Sequence, residues 1–331
     1  MRRQLSAAVS SWALASLLFG TAGAGAQESH GFAVQGFEPA PPGDRFFGVS
    51  DARVHGWLDG HAALVGNLAL RPLRGYTLAN GAEFITTELW VHAGLGISGA
   101  EVAMLSVDVP IDLIERGDPG YATEPESGKL GDIRATLRGA LVRDYWNKWS
   151  LGAEFRLYLP TGDQDALVGD GQPRAAPQLG FSGELRNVVW AVSAGYLFRK
   201  HEDVLLGEVG AAITFGGGAG LLLLGKHLQL GVELYGHSVT ETQLFSDRGT
   251  LIEALIGSKL RVRNLVIGAA IGRGFTEAPG SAAFRALLSL GLGRDELRDR
   301  DGDKIADVED ACPRQPGLAD ADPKKNGCPA S

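Results

Sequence analysis

Apolar side chains recur at every second position through much of the chain between residues 57 and 293. From Trp149 to Leu159, for example, one face carries Trp, Leu, Ala, Phe, Leu and Leu, and the other carries Ser, Gly, Glu, Arg and Tyr. This period of two is typical of a β-strand with two different faces. Twelve such segments are predicted, at 57–71, 83–95, 101–114, 131–143, 149–159, 176–186, 188–199, 204–215, 227–238, 249–262, 264–273 and 282–293. The sequence therefore predicts an all-β, antiparallel fold.

The connections between these segments alternate in length. Long polar links such as Glu115–Gly131 and Pro160–Ala175 are followed by short turns such as Arg186–Asn187. Outer-membrane barrels have short periplasmic turns and longer outside loops, and strands of about ten tilted residues span the bilayer. The pattern therefore predicts a transmembrane β-barrel over residues 57–293. The run Gly216–Leu224 breaks the period and is predicted to be a periplasmic turn.

A soluble β-sandwich is the alternative, because its strands also alternate apolar and polar positions. Two features favour the barrel. Aromatic residues Trp149, Trp190 and Phe284 stand near predicted strand ends, where girdle aromatics belong. The polar face also carries many charges of both signs, which suits a wet lumen. The residues predicted to face the lumen are Arg134, Arg138, Glu154, Arg156, Glu184, Glu233, Lys259 and Arg261.

The first 26 residues have the pattern of a secretory signal peptide. Arg2 and Arg3 precede an apolar stretch from Ala7 to Phe19, and the small residues Ala24 to Ala26 precede Gln27. A membrane-anchoring helix would need roughly 20 apolar residues, and this stretch is shorter. We therefore expect an exported protein, with residues 27–56 forming a periplasmic segment before the barrel.

Composition and short motifs argue against several functional classes. Lys and Arg number 31 against 39 Asp and Glu, so no basic surface is expected for nucleic acid. Lys226 ends a sequence similar to a phosphate-binding loop, but His227 stands where Ser or Thr is needed. Ser182 lies in Gly-Phe-Ser-Gly-Glu, which is not a nucleophile elbow. We therefore expect no enzymatic activity.

An acidic motif follows the last predicted strand. Five aspartates occupy positions 1, 3, 5, 9 and 12 of a twelve-residue stretch, with a residue at position 7 that offers its backbone carbonyl. Such spacing presents hard oxygen ligands to Ca²⁺, whereas a solvated acidic linker is the alternative. The predicted ligands are Asp299, Asp301, Asp303, Ile305, Asp307 and Asp310. Cys312 and Cys328 are expected to form a disulfide, since export places the chain in an oxidising compartment.

These residues resemble a known repeat. Asp-Arg-Asp-Gly-Asp-Lys-Ile-Ala-Asp-Val-Glu-Asp-Ala-Cys-Pro over 299–313, followed by 322–329, resembles the calcium-binding thrombospondin type 3 repeat of OmpA-family proteins. The segments 37–47, 159–163 and 169–177 resemble the barrel part of that family. The resemblance implies that the repeat joins an exported barrel to a peptidoglycan-binding domain. This sequence ends at Ser331, so we expect that domain to be absent, and Lys304 replaces the usual glycine.

The functional expectation combines these features. An even number of strands returns the chain to the periplasm, so residues 294–331 should form a periplasmic calcium-binding tail below an outer-membrane barrel. We expect a structural or anchoring role in the cell envelope, with a porin-like channel for small solutes as the alternative. A calcium-dependent adhesin would need the tail outside the cell, which strand parity opposes. The expected partners are outer-membrane lipids, the barrel-assembly machinery and a separate envelope or peptidoglycan-binding protein.

Overall fold

The computed structural model describes most of the chain beyond residue 32. The described residues are 33–54, 58–73, 85–117, 127–144, 148–164, 166–204, 207–241, 243–293, 301–303, 305–307, 310–320, 322 and 324–329. The predicted signal peptide, Asp299 and Lys304 lie outside them. No helix in this described part is long and apolar enough to cross a membrane.

Fourteen strands are present among the described residues, and twelve of them form one closed antiparallel barrel. The barrel strands are β1 (Leu58–Leu70), β2 (Thr87–Gly99), β3 (Ala103–Arg116), β4 (Ile133–Asp144), β5 (Trp149–Leu159), β6 (Arg174–Leu185), β7 (Val188–Leu197), β10 (Ala212–Leu223), β11 (Leu228–Val239), β12 (Thr250–Val262), β13 (Leu265–Gly274) and β14 (Phe284–Leu292). β8 (Glu202–Val204) and β9 (Gly207–Val209) form a separate hairpin. The predicted twelve-stranded antiparallel barrel is confirmed.

β1 and β14 close the barrel with an antiparallel register that runs from Ala62 opposite Leu292 to Leu70 opposite Phe284. Closure leaves no unpaired strand edge, so every wall strand has partners on both sides. The short turns among the described residues, such as 186–187 and 263–264, lie at one end, which we call the short-turn end. The longer connections, such as 160–173 and 198–211, lie at the other, the long-loop end.

The outer face of the wall is apolar and exposed, whereas the inner face is polar and buried. Leu95, Leu179 and Ile256 point outward, each more than half exposed, as expected for side chains that contact lipid. Aromatic rings cluster near the short turns, where Phe181 packs edge-on against Trp149 and Trp190 at centroid distances of 5.5 and 4.7 Å. The molecule therefore has the surface of a bilayer-spanning barrel.

One strand was placed wrongly by the alternation pattern. The prediction had a strand at 204–215 and a periplasmic turn at Gly216–Leu224, but β10 runs from Ala212 to Leu223 through the glycine-rich stretch. Glycines carry no side chain, so the inward positions in this stretch give no polar signal. Leu222 points inward and is buried, while Leu221 and Leu223 point outward and are exposed. The alternation of inward and outward side chains therefore continues through Gly216–Leu223, where a turn was predicted.

A second correction concerns the segment before the barrel. Residues 27–56 were predicted to be periplasmic, but the described residues 33–54 lie inside the barrel. Ala33 lies beside the long loop that contains Asp170, and Val54 lies beside Arg143 at the short-turn end. The chain thus runs the length of the lumen before β1 begins. We call residues 33–54 the plug segment.

Candidate functional site: the filled lumen

The plug segment is fixed at the long-loop end by backbone contacts. The Ala33 N–H donates to Asp170 Oδ1 at 2.9 Å, and the Val34 N–H donates to the Leu167 carbonyl at 3.2 Å. Arg199 and Arg174 contact the same aspartate at 2.6 and 2.9 Å. Burial raises the pKa of Asp170, but the two guanidinium groups outweigh burial and lower it. The carboxylate is therefore held in its charged form as an anchor.

The centre of the lumen holds a buried network of charges. Arg138, on β4, donates to both carboxylate oxygens of Asp44 at 2.7 Å each. The same guanidinium donates to Glu154 on β5 at 2.9 and 2.7 Å. Arg156 and Ser50 also donate to Glu154, at 2.7 and 3.1 Å. Because all of these groups are removed from water, each needs the others as partners.

A single wall carboxylate holds the bend of the plug segment. Glu233, on β11, accepts hydrogen bonds from the backbone N–H groups of Phe47, Gly48 and Val49 at 2.7, 2.8 and 3.2 Å. Three successive N–H groups directed at one carboxylate form a small anion-binding concavity. This satisfies backbone donors that have no sheet partner in the lumen.

Apolar packing accompanies the polar contacts. Phe37, Phe46, Phe47 and Val49 of the plug segment form one buried cluster with inward-facing wall residues. Glycine makes room for them: a Cβ built at Gly218 would lie 2.8 Å from the Phe46 ring. The plug segment and the wall therefore share a single core.

The structure places all eight residues predicted to line the lumen on the inner face of the wall, and seven of them contact the plug segment or its partners. Arg134 and Arg156 meet Glu38 at 3.2 and 3.5 Å. Glu184 meets Arg45 at 3.1 Å, and Lys259 donates to the carbonyls of Asp44 and Phe46. Arg138, Glu154 and Glu233 act as described above, and Arg261 lines a cavity at the short-turn end. These charges serve chiefly to bind the plug segment.

Sequence reasoning missed the plug segment because its residues show no strand period. Its signal lay in composition, because the same short segment contains Phe37, Phe46 and Phe47 and the acids Glu38 and Asp44. Such a segment can satisfy both the apolar and the cationic positions of a barrel interior. A solvated periplasmic linker has no need of buried phenylalanines.

Below the plug segment, a cavity of about 420 Å³ opens at the short-turn end. We call it the vestibule. Its roof is the stretch 39–47 of the plug segment, and its wall includes Glu184, Lys226, Lys259 and Arg261. Ala306 of the C-terminal tail also borders it. The tail and the end of the lumen are thus neighbours.

The tail brings three of the predicted calcium ligands together. The carboxylate groups of Asp301, Asp303 and Asp310 each offer an oxygen within 4.8 Å of the others. Oxygens Oδ2 of Asp301 and Asp310 are buried and have no hydrogen-bond partner in the described part of the chain. Partial burial and the nearby Asp303 and Asp301 carboxylates raise the pKa of Asp310. Ile305 and Asp307 lie outside this group of three, and Asp299 falls outside the described residues.

Other contacts brace the tail around this cluster. Cys312 and Cys328 form a disulfide, and the Gly317 N–H donates to Asp303 at 3.0 Å. Ligands of Ca²⁺ lie about 2.3–2.6 Å from the ion, so oxygens on opposite sides of it are separated by about 5 Å. The three carboxylates therefore fit a calcium ion in spacing and chemistry.

Ser182 and Lys226, which lie in the sequences compared above with a nucleophile elbow and a phosphate-binding loop, both contact neighbouring side chains. Ser182 donates to Asp51 of the plug segment and accepts from the Ala52 N–H at 3.0 Å. Lys226, from the sequence similar to a phosphate-binding loop, forms an ion pair with Glu184. Both side chains thus connect the wall, its turns and the plug segment.

Comparison with known proteins shows similarity at the level of fold. No protein-family model matches the sequence, and no curated protein matches it. An outer membrane channel from Pseudomonas putida F1 is 14% identical, with a TM-score of 0.54, and the match covers 73% of this chain and 98% of that one. The NanC porin is 8% identical, with a TM-score of 0.46 and coverage of 72% and 98%. A calcium-bound outer membrane phospholipase dimer from Salmonella typhi is 10% identical, with a TM-score of 0.38 and coverage of 76% and 93%.

The likeness to the Pseudomonas channel extends over nearly the whole of that protein, and the part of this chain it covers is close in extent to the barrel. The chain therefore has the fold of an outer-membrane barrel.

Proposed function

We propose that this protein is an outer-membrane channel for small solutes and that the plug segment closes it. The observation that carries the proposal is a charged, polar inner wall filled by a segment that belongs to no strand of the barrel. The match to a protein described as an outer membrane channel supports the same reading.

Physical reasoning explains how such a barrel could open. The wall strands hydrogen-bond to one another, so the barrel does not need the plug segment to satisfy its backbone. If the plug segment leaves, groups such as Arg138, Glu154 and Glu233 face an aqueous path, and water can replace their partners. In an outer membrane the short turns face the periplasm. The vestibule and the tail would then lie on the periplasmic side.

A cysteine pair can test whether the plug segment is a gate. A Cβ built at Gly180 of β6 lies 3.5 Å from the Cβ of Ala52, within the range for a disulfide. The variant Ala52→Cys/Gly180→Cys should therefore lock the plug segment to the wall when oxidised. We expect single-channel conductance steps in planar bilayers from the wild type and from the reduced variant, and none from the oxidised variant.

Three controls make the result specific. Each single-cysteine variant should conduct under both conditions, and the wild type with reductant shows any effect of opening Cys312–Cys328. Gel mobility without heating confirms a folded barrel before each recording. Equal conductance from the locked and unlocked forms would show that the plug segment does not gate the channel. A folded wild type that never conducts would favour a purely structural barrel.

A structural role in the cell envelope is the second candidate, and the aspartate cluster of the tail favours it. Asp301, Asp303 and Asp310 would hold Ca²⁺, which would stiffen the disulfide-closed tail as a thrombospondin type 3-like module. A rigid periplasmic tail suits attachment to a separate envelope or peptidoglycan-binding protein. The barrel would then serve as its membrane anchor.

Calcium removal tests the tail directly. We expect Ca²⁺ to protect residues 301–329 from protease in the wild type, and a chelator to abolish that protection. Asp301→Asn with Asp303→Asn should abolish it without chelator, because two of three charged ligands are lost. Asp320→Asn with Asp322→Asn, two aspartates outside the cluster, is the matched control and should keep protection. Protection that persists in the first double variant would refute the site.

A further inference from the structure

A groove of about 890 Å³ crosses the outer face of the wall between β10 and β14. We call it the outer groove. Its surface consists chiefly of outward-facing side chains from two neighbouring rows of the sheet. The row nearer the long-loop end contains Gly217, Leu234, Ala254 and Arg273, and the next row contains Ala219, Val232, Ile256 and Ile271. Small residues in both rows leave space between the larger side chains, and this space is the groove.

One cation borders the outer groove. Arg273 is the next-to-last residue of β13 and lies opposite Ala254 of β12. Its Nε donates to the carbonyl oxygen of Gly274 at 3.4 Å, and its guanidinium carbon lies 5.7 Å from the Phe275 ring centroid. Among the described residues no carboxylate forms an ion pair with it. A guanidinium has five N–H donors, and these residues engage one of them.

Arg273 lies at the level where lipid headgroups are expected. Phe275 follows the end of β13 and Phe284 begins β14, so both rings and Arg273 are within one residue of the long-loop end of their strands. Aromatic residues concentrate at this level in outer-membrane barrels, and the cost of a charge on the lipid face falls toward it. The outer groove therefore extends from the headgroup level at Arg273 toward the acyl-chain level at Ile256 and Ile271.

We propose that the outer groove binds one lipid with an anionic phosphate headgroup. The phosphate oxygens accept hydrogen bonds from Arg273, whose planar fork of donors matches phosphate geometry. An acyl chain lies over Ala254, between Leu234 and Ile256. This site goes beyond the proposed channel function, because it lies on the outside of the wall and its occupancy can be measured without any conductance.

Charge favours a lipid over a second copy of the chain as the occupant. A twofold contact places the same surface of each subunit against the other, so it would bring two Arg273 cations together. The only acid that borders the outer groove is Glu233, and its carboxylate points into the lumen, where it accepts hydrogen bonds from the plug segment. A phosphate supplies the negative charge that a second copy lacks here.

Native mass spectrometry of the refolded full chain in a non-ionic detergent measures bound lipid directly. The probes are dioleoylphosphatidylglycerol, which is anionic, and dioleoylphosphatidylcholine, which has the same acyl chains but no net charge. We expect one phosphatidylglycerol to bind about fivefold more tightly than phosphatidylcholine, equivalent to about 1 kcal/mol. Equal affinity for the two lipids, or no saturable binding, would overturn the proposal.

Two substitutions test the two parts of the site. Arg273→Gln removes the cation and should lower phosphatidylglycerol affinity about fivefold, to the level of phosphatidylcholine. Ala254→Leu fills the floor of the groove and should weaken binding of both lipids. The matched controls are Arg116→Gln and Ala135→Leu, at outward-facing positions near the long-loop end of β3 and β4 that do not border the groove. Both should bind like the wild type.

The same spectra distinguish the remaining outcomes, once gel mobility without heating shows that each variant is folded. Wild-type affinity in both Arg273→Gln and Ala254→Leu would refute the assignment of the lipid to this groove. A dimer that is present in the wild type and lost in Ala254→Leu would show that a second copy of the chain covers the groove instead.

Discussion

At the scale of single residues, the lumen is organised by side chains that each satisfy several partners. Arg138 contacts Asp44 of the plug segment and Glu154 of the wall with four hydrogen bonds. Its side chain is only 1% exposed, so water cannot replace these contacts while the plug segment fills the lumen. A buried guanidinium between two carboxylates joins two parts of the chain that are far apart in sequence.

We predict that Arg138→Met destabilises the barrel by about 3–5 kcal/mol, because it leaves the buried Asp44 carboxylate without its cation and Glu154 with Arg156 alone. Denaturant unfolding followed by gel mobility measures the loss. Arg143→Met is the matched control, since Arg143 pairs with Glu101 while both side chains remain partly exposed, at 22% and 26%. Such a pair contributes about 1 kcal/mol or less, so equal losses in the two variants would contradict the assignment.

At the scale of elements, β10 shows how one strand packs against the plug segment with its inner face and against lipid with its outer face. Its inward glycines accept the rings and methyl groups of the plug segment, as Gly216 does for Val49 and Gly218 for Phe46. Its outward positions, such as Leu221 and Leu223, face lipid. The glycine-rich composition obscures the alternation of apolar and polar residues in this strand. The same glycines leave the space that the plug segment occupies.

Gly218→Val and Gly217→Val form a matched pair for testing this fit. A Cβ at residue 218 would lie 2.8–3.1 Å from three ring atoms of Phe46, whereas at residue 217 the nearest atom is Val192 Cγ1 at 3.9 Å. Overpacking of this kind costs about 1–3 kcal/mol unless the neighbour moves.

We therefore expect Gly218→Val to displace the plug segment and to raise the frequency of conductance steps in planar bilayers. Gly217→Val should behave like the wild type, because its new side chain points toward lipid. If the two variants open equally often, contact between β10 and the plug segment does not control opening.

At the scale of the whole molecule, the two ends of the lumen differ. The long-loop end holds the first described residue of the plug segment, fixed by Asp170. The short-turn end holds the vestibule and, at its border, Ala306 of the tail. The path of the chain from one end to the other means that the segment before β1 fills the barrel that follows it.

The sequence alone determined the barrel, because a strand with one lipid face and one polar face must alternate, and alternation survives in almost every wall strand. It also determined which residues point inward, from Arg134 to Lys259, since side-chain direction follows directly from strand parity. The spacing of Asp301, Asp303 and Asp310 also predicted the tail cluster, because these residues are close in sequence and local backbone geometry brings them together.

Tertiary structure alone decided what fills the lumen. The contacts that hold the plug segment join residues far apart in the sequence: Arg138 and Asp44 are 94 positions apart, and Lys259 and Phe46 are 213 positions apart. No periodic pattern encodes a partner at that distance, because each contact depends on which residues the closed sheet places opposite each other. The contacts of Glu184 arise in the same way, as Arg45 and Lys226 from distant segments meet one carboxylate.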